Sequence, residues 1–390
     1  VKRIIFHIDV NNAFLSWSAV EELKNGGKVD YRKIPSVIGG NEKTRSGIVL
    51  AKSPVAKQMG IVTPEALYSA RKKCKDLVVI PPNYNLYEKM SNQFVTLLKN
   101  YSPLVEQASV DECYLDYTGM EKLFGDPIKL AFKIKEEIKT KYGFTVNVGV
   151  ANNKLCAKMA SELTKPDKLH TMFDEEIEEK MWPLPIGDLF SLGKVTAAKL
   201  KNLGLEKIGD LAQADSMFLK KHLKNNGLKL KRFANGIDTE KVIPNEERDP
   251  CSISCSRTTT IDMKTKEEAF KLLSYLSFEV GKQLRKKEFY AGTIAISIKN
   301  TFFETKSCQI KLSTPINLTD DIFKNSKKLF VKLWEKEKLR LISITLTNFQ
   351  KTYEKQISFF DKKEEGKNKK LQSTIDNINN KYGKDIIKKI

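Results

Sequence analysis

Apolar residues along this chain recur with two periods, and the switches between them mark out its elements. Lys2 to Val10 is a short apolar-rich run closing on Asp9, which predicts a buried strand. Ala13 to Leu23 predicts a helix, and the pairs Gly26-Gly27 and Gly39-Gly40 mark turns in an irregular stretch that runs to about Leu77. "PPNY" at 81–84 breaks the chain before a helix with Tyr87, Met90, Phe94 and Leu97 on one face. "VEQASVDECYLDY" predicts a pair of strands. Asp126 as N-cap, Pro127 at the first helical position, Leu130, Ile134, Ile138 and Tyr142 four apart, and Gly143 as the stop define the next helix. Phe144, Val146, Val148 and Val150 alternate as in a half-buried strand. "NNKLCAKMASELTK" then predicts a helix ending before Pro166.

Residues 171–240 predict helices only, two of them short and joined by a turn at Gly193. "TEKVIPNEERDP" (239–250) is charged and poorly periodic, as a linker is. Beyond it the pattern is strand (252–259), helix (265–287), strand (291–299), strand (304–312), helix (319–336) and strand (339–348), a βαββαβ unit. Its first helix opens with a capping box, Thr265 with Glu268, and carries an apolar face of Phe270, Leu273, Leu276, Val280 and Leu284. Residues 351–390 are Lys-rich and polar, a tail with one helix near its end. The class is α+β, and 390 residues are too many for one core.

Charge narrows the function. Lys and Arg number 68 against 48 Asp and Glu, a formal +20 spread over the whole length. A polyanionic partner follows, nucleic acid before membrane, unless the source organism makes all its proteins basic. No apolar run approaches the ~20 residues of a membrane span. Six cysteines without a CxxC pair and three distant histidines argue against zinc and for reduced thiols in the cytoplasm.

In "ASVDECYLD", Asp111 and Glu112 stand side by side at the edge of strand-like apolar residues, where they repel each other and resist losing water. Alone they are equally a solvated turn, and Asp9 is equally the N-cap of the helix after it. If the first strand lies beside the hairpin, however, three carboxylates meet on one rim. That arrangement suits Mg²⁺, and two such ions about 4 Å apart can activate a 3′ hydroxyl and steady a leaving pyrophosphate.

"FHIDVNNAF", "ASVDECYLD", "NVGVANNKLCAKMASELTKPDK" and "LFSLGKVTAAKLKNLGL" together resemble the Y-family translesion DNA polymerases, nearest the DinB-like and UmuC-like branches. The resemblance covers about 1–240 by motif and 251–348 by topology. It implies a right-hand architecture: a ferredoxin-like palm (1–11 and 79–170), small fingers (12–78), a helical thumb with a helix-hairpin-helix (171–238), the linker (239–250), a little finger (251–349) and a tail (350–390). It also implies low-fidelity, template-directed DNA synthesis without proofreading, by a monomer. The other readings are a polymerase-like DNA or clamp adaptor that has lost its chemistry, and another palm-type nucleotidyl transferase.

By that resemblance Asp9, Asp111, Glu112 and the Val10 carbonyl hold two Mg²⁺. The amides of Asn12 and Ala13, with Lys165, meet the triphosphate of the incoming deoxynucleotide. Phe14 falls at the steric gate that excludes a ribose 2′ hydroxyl, or is a core aromatic; Lys165 is otherwise a helix C-terminal lysine. Many members carry Tyr-x-x-Arg in the fingers where this chain has Pro54 to Lys57, and Lys57 supplies charge without the bidentate fork. In the thumb, Gly193, Lys194 and Lys199 lie in a turn aimed at primer–template phosphates, with Ser191 where the family has Gly, or in a plain helical hairpin. Arg257 and the hydroxyl run after it are phosphate contacts or an exposed polar strand. "QISFF", Gln356, Ile357, Ser358, Phe359 and Phe360, resembles the motif that hooks the bacterial sliding clamp.

Overall fold

The computed structural model describes residues 2–42, 45, 47–351 and 364–382, in two compact units, Val1–Arg248 and Asp249–Ile390. The first unit opens with β1 (Ile5–Val10), α1 (Ala13–Lys24), β2 (Ser36–Gly39), β3 (Val49–Lys52), α2 (Pro54–Gln58), α3 (Leu67–Lys73), β4 (Val78–Ile80) and α4 (Tyr84–Lys99). It continues with β5 (Val105–Gln107), β6 (Glu112–Asp116), α5 (Glu121–Phe124), α6 (Pro127–Tyr142), β7 (Val146–Ala151), α7 (Lys154–Glu162) and β8 (Leu169–Met172).

Five strands make one sheet, in the order β5-β6-β1-β7-β8. Side chains alternate across a strand, so β1 serves two cores. Phe6, Ile8 and Val10 join Trp17 of α1, Phe94 of α4 and Ile134 of α6. Ile5 joins Leu155 and Ala157 of α7 on the other face. β7 was expected to be half-buried and is buried throughout, because α7 covers its second face. There Asn147 Nδ2 donates to Ser161 O (2.9 Å) and Thr164 O (2.6 Å). Gly149 permits the close approach: a Cβ would stand 2.0 Å from Ala157 O. β8 is a strand whose last two residues fall in the stretch expected to be helical; it pairs parallel with β7 at the sheet edge.

The stretch read as irregular turns contains β2 and β3, which with β4 just after it form a three-stranded sheet, β3-β2-β4, around Val37, Val49, Leu67 and Ala70. Gly39 lies in a strand, where a Cβ would come within 2.9 Å of Leu67. α1, expected with the fingers, packs into the core of the large sheet through Ala13, Trp17 and Val20.

Helices α8 (Ile177–Lys180), α9 (Lys194–Asn202), α10 (Ile208–Gln213), α11 (Ser216–Leu223) and α12 (Asn225–Ala234) follow. The segment after them, read as a linker, is tied down as far as Arg248. The Asn245 side chain brackets Gln107 on the edge strand β5, accepting from Gln107 N (2.8 Å) and donating to Gln107 O (3.0 Å). Glu106 accepts from Lys154 Nζ (2.8 Å), Ile243 N (3.0 Å) and Arg248 Nη2 (2.8 Å).

The second unit is the expected βαββαβ: β9 (Ser252–Met263), α13 (Lys266–Lys286), β10 (Tyr290–Asn300), β11 (Thr305–Ile316), α14 (Thr319–Leu333) and β12 (Leu339–Gln350). Its sheet order is β11-β10-β12-β9. The Thr265–Glu268 capping box is formed. The tail helix α15 (Glu364–Tyr382) is docked on this unit: Arg285 donates from Nε and Nη2 to the two Asp376 oxygens (2.6 and 3.1 Å), and Ile375 is buried. No helix among the described residues is long and apolar enough to cross a membrane.

Candidate active site

The parity that buries Phe6 and Ile8 in one core turns His7 and Asp9 toward α7. Asp9 stands opposite Glu112 of β6 on one side and Asn147 of β7 on the other. The last turn of α7 and the residues after it then supply Lys158, Glu162 and Lys165. Lys158 Nζ donates to Glu112 Oε1 (2.8 Å) and Glu162 Oε1 (2.9 Å). Lys165 Nζ pairs with Asp9 Oδ2 and donates to the same Glu162 Oε1 (2.9 Å). One ligand oxygen each from Asp9, Glu112 and Glu162 lie within 4.8 Å of one another.

Asp9 is only 5% exposed, and burial pushes its carboxyl up to about 6 despite the pull of Lys165. Glu112 is pulled down to about 2, first by the His7 imidazole and then by Lys158, against a burial penalty. His7 Nε2 sits 3.5 Å from Glu112 Oε2, too long for a full hydrogen bond, while Nδ1 contacts Ser161 Oγ at 2.8 Å. Burial lowers the His7 pKa, so the ring adds no charge. Three carboxylates therefore face two ammonium groups. Convergent oxygen donors with a charge deficit, and no thiol among them, fit a hard divalent cation.

Asp111 does not join the three. Its carboxylate accepts from Ser109 Oγ (2.5 Å), and its carbonyl accepts from Val10 N (3.0 Å), which keeps it beside the site. Glu162, Lys158 and His7 were not singled out from the sequence. The i,i+4 spacing of Lys158 and Glu162 and the parity of His7 with Asp9 were the available signals.

Phe14 is half-buried and stacks on Tyr87, ring centroids 4.4 Å apart and planes 8° from parallel, with Tyr84 edge-on at 6.3 Å. It is thus both a packed aromatic and a ring held in a fixed attitude. Asn12 has a left-handed backbone (φ 51°) and gives its side chain not to the helix end but to Lys52 O (2.7 Å). The first-turn amides of α1, from Ala13, consequently carry no side-chain cap and present the positive end of the helix. Lys57 is exposed on α2, whose start is capped by Ser53 Oγ accepting from Ala56 N (3.0 Å).

In the helical region Gly193 begins α9 without a side-chain cap, and Lys194 is exposed beside it. Lys199 donates to His222 O (2.6 Å), which engages it at the end of α11. Ser191 takes φ 71°, the left-handed backbone that glycine adopts freely. Ser191→Gly removes that steric cost and is expected to stabilise the first unit by about 0.5–1 kcal/mol net of the added chain entropy, read as a higher denaturant midpoint.

Arg257 lies over the Tyr275 ring of α13 at 4.9 Å, on the helix-covered face of its sheet. The opposite face carries the hydroxyls. Ser256, Ser343, Ser297 and Ser307 register as one row across all four strands. Gln356 to Phe360 lie outside the described residues.

The comparisons give the family and the fold. Models of the impB/mucB/samB family match residues 8–162, its C-terminal domain 250–359, and the family's HHH motif 174–205. DNA polymerase IV of Clostridium acetobutylicum is 44% identical over 391 aligned residues, 99% of this chain and 97% of the relative. DNA polymerase IV 1 of Bacillus subtilis is 34% identical over 99% of this chain and 92% of its own length. A solved Y-family DNA polymerase chimera of Dbh and Dpo4 superposes with a TM-score of 0.76 and 25% identity, covering 88% of this chain and 98% of the chimera. At 44% identity to the Clostridium acetobutylicum relative over nearly the whole of both chains, this chain belongs to the impB/mucB/samB family of Y-family DNA polymerases, together with the DNA polymerase IV proteins.

Proposed function

We propose that the chain is a template-directed DNA polymerase of the low-fidelity translesion type, joining deoxynucleotides to a primer 3′ hydroxyl at the Asp9–Glu112 centre. The observation that carries this is the placement of a buried Asp9 and a half-buried Glu112 on paired strands facing α7, with more carboxylate than ammonium charge. Asp9, Glu112, Asp111 and the Val10 carbonyl are the oxygens that would hold two Mg²⁺. When bound, these ions supply acidity to the 3′ hydroxyl and charge neutralisation to the departing pyrophosphate.

The protein's own groups do the rest. Lys165 and the uncapped amides at Asn12 and Ala13 draw in the triphosphate, with Lys57 adding charge from the fingers. Phe14, braced by Tyr87, blocks the 2′ position of the sugar. Phe14→Ala is expected to raise ribonucleotide incorporation by about 10- to 100-fold, the range one lost pocket contact supports, measured by single-nucleotide insertion of each sugar. DNA is gripped through phosphates, by the α9 start at Gly193 and Lys194 and by the hydroxyl face of the second unit, with no sequence readout. Gln356, Ile357, Ser358, Phe359 and Phe360 dock on the bacterial sliding clamp. The protein works as a cytoplasmic monomer.

The test is primer extension on a primer–template with Mg²⁺ and four deoxynucleotides. Extension that stops with a chelator and returns with Mg²⁺ is the expected result. DNA binding without extension would instead favour a catalytically silent adaptor.

A further inference from the structure

We propose that Glu162 is a positioning residue that keeps Lys158 and Lys165 in place when divalent cations take Asp9 and Glu112; this rests on the metal-centre reading above. The five groups form an alternating row, Glu112, Lys158, Glu162, Lys165, Asp9, in which one oxygen, Glu162 Oε1, receives both ammonium groups at 2.9 Å. The two ends of the row are the carboxylates the cations need. A cation arriving there competes with each lysine for its outer partner and repels it.

Lys158 cannot escape to water, since its side chain is only 10% exposed. Glu162 is the last residue of α7 and half open to solvent, so it keeps its charge and both lysines as the outer contacts loosen. Without it, the lysines have only Asp9 and Glu112 in reach of the bonds the structure shows, and they hold those oxygens against the metal. Glu162 thus acts through the lysines and not as a ligand. Lys165 also stays where a triphosphate can meet it.

The experiment is Mn²⁺ binding to the full chain, followed by the electron paramagnetic resonance of free Mn²⁺. Glu162→Gln is expected to weaken Mn²⁺ binding by about 10-fold, the scale of losing a group that orients metal ligands. Adding Lys158→Met to Glu162→Gln is expected to recover part of that loss, because the ammonium competing for Glu112 is gone while Lys165 stays on Asp9. In primer extension, Glu162→Gln raises the Mg²⁺ concentration for half-maximal rate and the deoxynucleotide KM more than it lowers kcat at saturation, and Glu162→Asp restores part of both. Unchanged Mn²⁺ affinity in Glu162→Gln, or a double variant as weak as the single, would overturn the proposal; the second result would make Glu162 a ligand. Asp9→Asn separates the two levels. If it binds Mn²⁺ as the natural chain does, the metal-centre reading fails, whereas loss in Asp9→Asn without loss in Glu162→Gln rejects Glu162 alone.

Discussion

Asp9→Asn is expected to lower kcat for primer extension on the order of 10³-fold, since a metal contributes several kcal/mol of charge stabilisation and each 1.36 kcal/mol is tenfold. The substitution keeps the shape of a side chain that is almost wholly buried and removes only its charge. It also releases Lys165, whose pairing with Asp9 and Glu162 sets its position. Primer–template affinity should hardly change, because the phosphate contacts proposed above lie elsewhere. Glu112→Gln is expected to behave alike and to free Lys158 as well. Single-turnover extension at saturating DNA checks this, and more than a tenth of the natural rate in Asp9→Asn would contradict a metal centre on that carboxylate. Asp111→Asn tests a separate point. If its rate falls as far, Asp111 serves the reaction although its carboxylate rests on Ser109 here.

Asp9 and Glu112 were legible because they lie near the end of one apolar strand and at the start of another, so adjacency of the two strands was enough to bring them together. Glu162 was not, since its place beside Asp9 and Glu112 depends on which face of α7 lies on the sheet. Gly149 decides that face by letting the helix settle on β7, and a glycine within a strand announces a close approach without saying of what. In the second unit, strands of 11 and 12 residues and a 21-residue capped helix gave long periodic signals, and its order was readable. The fingers strands of three and four residues are too short to display alternation, and β8 buries one residue of four. The direction of Arg257 was written in its parity with Ile253 and Cys255, both packed under α13, and a count of twos would have placed it there. Docking of the chain after α12 was invisible because Glu106, in "VEQ", looks like an ordinary polar strand position.

That docking carries the largest expected effect on stability. Glu106 and Lys154 are 3% and 8% exposed at the side chain, and Lys154 Nζ reaches both Glu106 oxygens, at 2.8 and 3.0 Å. The ammonium also lies 4.8 Å from the Tyr114 ring centroid. Lys154→Met fills the space but strands a buried carboxylate, a loss of about 3–5 kcal/mol for a broken buried pair. Arg248 and Ile243 N still touch Glu106, so the value should fall near 3. Removing both charges is far cheaper than removing one, since no unpaired ion remains. Lys154→Met with Glu106→Gln is therefore expected to regain most of the stability, although the segment holding Ile243 and Arg248 loses its charged anchor. Urea unfolding of the full chain measures the first effect, and hydrogen exchange at Ile243 and Gln107 measures the second. A Lys154→Met unfolding free energy within about 0.5 kcal/mol of the natural chain's, the scatter of ordinary surface changes, would mean that Arg248 alone neutralises Glu106. The double variant would then exchange faster at Ile243 than the single, because only in the double is the carboxylate that holds Arg248 gone.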